Sequence, residues 1–104
     1  MENLTQHMIG SNVLIRSSDS GVHHGKLVAV SGTSVRLENS RRLWEWSTGG
    51  TGISLSEIAV CGIDQNGSKI TMELPDICIS GVCEIIPTHG MCDATIQGAR
   101  VHKP

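Results

Sequence analysis

Arg41-Arg42-Leu43-Trp44-Glu45-Trp46-Ser47-Thr48-Gly49-Gly50-Thr51-Gly52-Ile53-Ser54-Leu55-Ser56-Glu57-Ile58-Ala59 passes from strand chemistry through a glycine-rich loop into a helix start. It holds both tryptophans and the Arg-Arg pair of the chain. Read as a strand, Arg41 to Trp46 alternates faces, with Arg42, Trp44 and Trp46 on one side and Arg41, Leu43 and Glu45 on the other. Neighbours two apart on one face can touch, so Arg42 falls within reach of a Trp ring. Beyond the loop, Ser54 fits an N-cap and Glu57, three later, completes a capping box. Ile53 and Ile58 have the spacing of a hydrophobic staple. With Gly62 as the stop, a short helix is predicted from Leu55 to Cys61.

Towards the N-terminus the strand pattern repeats. Asn12-Val13-Leu14-Ile15-Arg16 reads as a strand and Ser17–Gly21 as a polar turn. Val22-His23-His24-Gly25 leads into Lys26-Leu27-Val28-Ala29-Val30, and Ser31–Ser34 connects to Val35-Arg36-Leu37-Glu38. Asn39-Ser40 reads as a further turn, making Arg41–Trp46 a separate strand. Residues 1–8 read as a loose lead-in.

Towards the C-terminus, Asp64-Gln65-Asn66-Gly67 is turn chemistry. Lys69 to Leu74 alternates as a half-buried strand with Ile70, Met72 and Leu74 inward, and Pro75-Asp76 breaks it. Ile77 to Ile86 is the most apolar run and reads as one strand, central in the fold or part of a subunit interface. Pro87 ends it. Thr88 fits the cap of a last helix, His89 to Gln97, closed by Gly98, and residues 99–104 form a basic, mobile tail. The expected fold is mainly β (α+β), a single domain over 1–104. Its form is a small antiparallel sheet or partly open barrel of about five to seven strands with two short helices.

Composition narrows the function. The 104 residues contain no Tyr or Phe and 12 Gly, so the core rests on Val, Ile, Leu and Met, a mixture favouring short strands and turns. A net charge of −2 argues against a broad basic surface for duplex nucleic acid. No basic and apolar leader and no membrane-length apolar run are seen, so a soluble, cytoplasmic protein is expected. Cys61, Cys78, Cys83 and Cys92 form no CxxC pair, which favours reduced, mostly buried thiols. Cys92 with His89, three apart, is too sparse for zinc, and neither metal nor cofactor is expected.

Each candidate site has a plain structural counterpart. Trp44 and Trp46 either stack a base while Arg42 holds phosphate, or fill a core that lacks other aromatics. Thr48–Gly52 either cradles an anion or simply connects. It lacks the lysine of a P-loop and matches no GxGxxG pattern, which favours the connector. Adjacent His23 and His24 point to opposite strand faces and make a poor chelating pair. There is no GxSxG, no HExxH and no evident carboxylate pair, so no catalytic residues are assigned and an enzyme is not expected.

Asn12–Arg16, Gly21-Val22-His23 with Gly25, the Arg41-Arg42-Leu43-Trp44-x-Trp46 block, Ser54-Leu55-Ser56 with Ile58-Ala59, and Glu84-Ile85-Ile86-Pro87 come in an order that resembles a family of small bacteriophage and prophage proteins of unknown function. The chain departs from that pattern in a longer glycine loop at 49–52 and in a tail, Arg100-Val101-His102, without an aromatic. The resemblance implies a phage accessory protein. By analogy with small phage-encoded oligomers that sequester cyclic nucleotide signals of bacterial defence, it suggests a homo-oligomeric binder of a small phosphorylated ligand. The ligand-binding set is then Trp44 and Trp46 for the base, Arg42 with Arg16 or Arg41 for phosphate, and His23 at the periphery. The rival reading is a module that inhibits a host protein through the Trp44/Trp46 face.

Overall fold

A computed structural model describes residues 2–50 and 54–103. Six antiparallel strands, β1 (Asn12–Ser17), β2 (Gly21–Ser31), β3 (Ser34–Glu45), β4 (Lys69–Ile70), β5 (Leu74–Ile79) and β6 (Val82–Pro87), are accompanied by the helices α1 (Glu2–Thr5), α2 (Leu55–Cys61) and α3 (Gly90–Gln97). The sheet order is β4-β3-β2-β1-β6, with β5 also on β3. Thus β4 and β5 run in line along one edge of β3, through Leu43↔Ile70 and from Ser40↔Leu74 to Val35↔Ile79. The short turn at Ser80-Gly81, with Gly81 at φ 69°, then carries the chain across to β6 on the far edge of the sheet. One tight turn can join opposite edges only if the sheet curls. Across the gap Val82 N–H donates to Thr33 O at 2.9 Å, yet β5 and β6 do not pair, so the curl stays open. This is the mainly β fold that the sequence pattern predicts.

Two cores lie on opposite faces of the curled sheet. On the outer face Leu14, Val22, Leu43 and Ile70 pack against Leu55, Ile58 and Ala59 of α2 and Cys92 and Ile96 of α3. On the inner face Val13, Ile15, Leu27, Val35, Leu37 and Ile79 pack together with Met8. The predicted α2 is present, with Ser54 Oγ accepting from Glu57 N–H at 3.3 Å and Gly62 stopping it at φ 83°. Ile53, the other half of the expected staple, lies outside the described residues.

Several expectations change. Asn39-Ser40 is not a turn between strands but lies inside β3. Between His24↔Arg41 and Lys26↔Glu38, β3 contains one more residue than β2, and Asn39 takes a left-handed φ of 53°. Asn tolerates that conformation in a bulge as well as in a turn. The run 77–86 is two edge strands, not one, because Gly81 turns the chain. Within 69–74 only Ile70 points inward. The chain leaves β3 after Thr71, whose N–H still donates to Arg42 O at 3.0 Å, and Met72 (61%) and Leu74 (42%) are exposed. Pro75 sits within β5, tolerated because an edge strand can lack a donor. Finally, Glu2–Met8 forms helical turns that bury Thr5 and Met8. The start of α3 also differs slightly: His89 is the N-cap, while Thr88 Oγ1 donates to Asp93 Oδ1 at 2.6 Å and lies 3.0 Å from Asn12 O.

Candidate functional site

The two arginines of the central block separate. Arg41 is buried on the α3 side. Its Nε donates to Thr71 O at 2.8 Å, and its Nη1 donates to Ile96 O at 2.8 Å and Ala99 O at 2.6 Å. These are carbonyls at and just past the end of α3, where a helix leaves acceptors unpaired and where its dipole favours a cation. Arg41 is therefore a structural clamp and not a free ligand contact. Burial lowers its pKa, opposed by nearby Glu73. Arg42 lies on the other face and is exposed. Its backbone N–H is held by Thr71 Oγ1 at 2.9 Å, while its guanidinium meets no carboxylate among the described residues.

The tryptophans separate as well. Trp44 is 65% exposed, edge-on to the His102 ring at 6.1 Å and under the Lys69 ammonium at 5.7 Å. Trp46, past the end of β3, packs against the α2/α3 core. The expected shared face of Arg42, Trp44 and Trp46 therefore keeps only its first two members. The alternation fails because Leu43↔Ile70 and Glu45↔Lys69 place an extra residue at Trp44, after which the strand ends.

Two hollows flank this edge. One, of about 200 Å³, is lined by Arg42, His23, Ser40, Thr71, Met72 and Leu74, with Ile77. The other is an open cleft of about 860 Å³ lined by Gln65, Asn66, Ser68, Arg100, His102 and Lys103, among others. The tail supplies this cleft because it docks: Val101 bridges to Ile70 in parallel and His102 N–H donates to Ile70 O at 2.9 Å. Sequence reasoning missed Lys69, His102 and the tail. The basic residues at 100–103 were the available signal, but nothing local shows that they return to β4.

The remaining candidates are placed elsewhere. Arg16, on β1, pairs with Glu84 at 3.4 Å with both side chains half exposed, and does not line the Arg42 hollow. His23 lines the hollow but is buried, and its Nε2 is engaged by Ser20 O at 3.0 Å. Burial and then the charge of Arg42 lower its pKa, so it meets a ligand at most as a neutral wall. Of the glycine loop, Thr51 and Gly52 lie outside the described residues; ahead of them Gly49 N–H donates to Gly62 O at 2.8 Å, and the Glu57 carboxylate lies against Gly50, where an anion would be repelled. The thiols are mostly not buried as expected. Cys78 and Cys83 are exposed because β5 and β6 are edges, and Cys61, at the end of α2, is half-buried. Cys92 alone is buried, which pushes its pKa up to about 12.

Residues 10–96 match the family described as Domain of unknown function (DUF6948). The chain belongs to the DUF6948 family. The DUF6948 match spans all six strands, α2 and most of α3, and so includes Arg42, Trp44 and Lys69 but stops before His102. None of the curated proteins matches the sequence. No helix among the described residues of this DUF6948 protein is long and apolar enough to cross a membrane.

Proposed function

We propose that this chain is a non-enzymatic binding protein that takes a small phosphorylated ligand of the nucleotide type on the Arg42–Trp44 edge. The observation that carries the reading is an exposed Arg42, with no carboxylate partner among the described residues, two residues from an exposed Trp44 on the same strand. The indole offers a stacking face, worth about 1–3 kcal/mol per base. Arg42 holds one phosphate in its hollow, a fork geometry suited to two phosphate oxygens. His102 and Lys103 reach further phosphate or ribose from the adjoining cleft. One tryptophan carries the base, since Trp46 is part of the core. The resemblance to phage proteins gives this reading its biological form: a homo-oligomer in the host cytoplasm that sequesters a cyclic nucleotide signal of a defence system and returns it unaltered.

A second reading rests on Met72 and Leu74, which are exposed beside Arg42. Trp, Met and Arg on a shallow surface are the residues of a protein–protein hot spot, and the edge then blocks a host protein.

A thermal-shift screen against linear and cyclic nucleotides tests the choice. A ligand at a hundred times its Kd adds about 2.7 kcal/mol, a rise of roughly 10 °C or more for a domain of this size. That rise should vanish in Arg42→Ala, whose unliganded Tm is unchanged, and the ligand should be recovered intact after denaturation. A consumed ligand overturns the non-enzymatic reading. A flat screen, with Trp44-dependent capture of a host protein, replaces the first reading by the second.

A further inference from the structure

Away from the Trp44 edge, and independently of what binds there, β2 and α3 bring together three side chains that sequence spacing does not connect. His24 projects from β2 on the helix-covered face, and Cys92 and Asp93 face it from α3. One ligand atom from each, an imidazole nitrogen, a thiol sulfur and a carboxylate oxygen, all lie within 4.8 Å of one another. We propose that His24, Cys92 and Asp93 form a binding site for a divalent transition metal of the zinc class.

Geometry comes first. An ion at the centre of a triangle with edges of 4.8 Å or less sits within about 2.8 Å of each corner, so the 2.0–2.3 Å of zinc–nitrogen, zinc–oxygen and zinc–sulfur bonds is reached by small side-chain shifts, in which the His24–Asp93 edge, 2.7 Å as a hydrogen bond, opens to admit the ion. The donor set comes next. Nitrogen, sulfur and oxygen together suit zinc or cobalt, whereas magnesium and calcium take oxygen alone. Charge also fits. A thiolate and a carboxylate neutralise a dication, so the loaded site is itself neutral in a buried place next to Arg41, which pairs with His24 across β2 and β3.

The surroundings hold the ligands in place. Asp93 Oδ1 accepts from Thr88 Oγ1 at 2.6 Å, the outer-shell hydrogen bond that orients a ligating carboxylate. His24 and Cys92 are fully buried, but the Asp93 side chain retains 20% exposure. Entry and a fourth, water position therefore lie on the Asp93 side. Without metal, His24 Nε2 donates to Asp93 Oδ1 at 2.7 Å. On binding, that proton moves to Nδ1, the thiol proton leaves to solvent, and three metal–ligand bonds form. His89, which spacing pairs with Cys92, is not a member of the cluster.

Titration of the purified, metal-stripped protein with Co²⁺ tests the site. The expected result is one Co²⁺ per chain, with a thiolate-to-cobalt charge-transfer band and the intense visible bands of a four-coordinate ion, bleached by Zn²⁺. A variant with Cys61, Cys78 and Cys83 all changed to Ser should keep the band. Cys92→Ser should lose it, and Asp93→Asn and Thr88→Ala should bind roughly 10-fold or more weakly with an unchanged circular dichroism spectrum. If Cys92→Ser does not fold, the Asp93 and Thr88 variants decide. Absence of a thiolate band in the folded protein, or its loss in the triple Cys variant, overturns the proposal and leaves His24–Asp93 as a buried hydrogen-bonded pair.

Discussion

Changing Arg41 to Met keeps an unbranched stem and removes the guanidinium, so what is lost is the clamp on the end of α3. Three strong hydrogen bonds go: to Thr71 O, Ile96 O and Ala99 O. A bond from a charged donor contributes about 1.5–3 kcal/mol, and a stranded buried acceptor costs about 1–3 kcal/mol. The Ile96 bond is buried, whereas the Thr71 and Ala99 bonds are part-buried and their carbonyls can recover water. Against this, the native guanidinium is itself buried with Nη2 unpartnered, and that cost disappears with the charge. The balance is a loss of about 2–4 kcal/mol, against roughly 5–15 kcal/mol for a whole domain. Arg42→Met removes an exposed charge that meets no carboxylate among the described residues and should stay within about 0.5 kcal/mol of wild type. Urea denaturation of the two variants, with unchanged m-values, reads the difference directly. The corresponding Tm loss for Arg41→Met is about 10–20 °C. Equal losses, or an Arg41→Met protein within 0.5 kcal/mol of wild type, would refute the division of the pair into one clamp and one free arginine.

Four further outcomes follow from the same packing. Trp46→Ala should cost about 2–3 kcal/mol, below the full-burial range because the ring is half-buried, whereas Trp44→Ala should be near neutral in the same denaturation series. Asn39→Gly should hold stability, and Asn39→Val, a branched residue forced to a left-handed φ, should lose roughly 1–2 kcal/mol. Gly25→Ala sets a Cβ 3.1 Å from Glu38 O and Ser40 Cα, both backbone, so β3 must shift, at a cost of about 1–3 kcal/mol by chemical denaturation. His23 and His24 are both held below the ordinary 6.5, chiefly by burial. The unfolded chain therefore takes up protons that the fold refuses, and stability should fall as pH drops below 6.5; a flat denaturation midpoint from pH 7 to 5 contradicts this.

What the sequence could and could not reveal divides along the range of the interactions. The helix Leu55–Cys61 was legible because Ser54, Glu57 and Gly62 act within a few residues of each other. The strands up to Leu37 were legible because their alternation is also local. Asn39 was misread because a left-handed residue serves a turn and a bulge equally well, and only the pairing partner β2 distinguishes them. The division at Gly81 was hidden by apolar residues on both sides of it. The candidate site was half legible: Arg42 and Trp44 could be singled out, but Lys69 reaches Trp44 only through the pairing of β4 with β3, and His102 only because the tail docks on β4. The cluster of His24, Cys92 and Asp93 was invisible for the same reason, since its members come together only when α3 packs on β2.

The bulge explains why adjacent, identical residues have opposite fates. Strand faces alternate with period two, so one inserted residue exchanges them. Leu37 faces the inner core. With unbroken alternation Arg41, four residues on, would face the same way, and Arg42 would point into the α2/α3 core. The extra residue at Asn39-Ser40 reverses this. Arg41 then falls opposite His24 and reaches the carbonyls at the end of α3, and Arg42 falls opposite His23 on the face that opens where β4 gives way to β5. Gly25 permits it, because a side chain there would strike the bulged backbone. A pattern such as Arg-Arg-Leu-Trp is therefore a poor guide to a binding face until the register is known. In this fold one glycine and one left-handed asparagine, several residues away from the site, determine which arginine is available to a ligand.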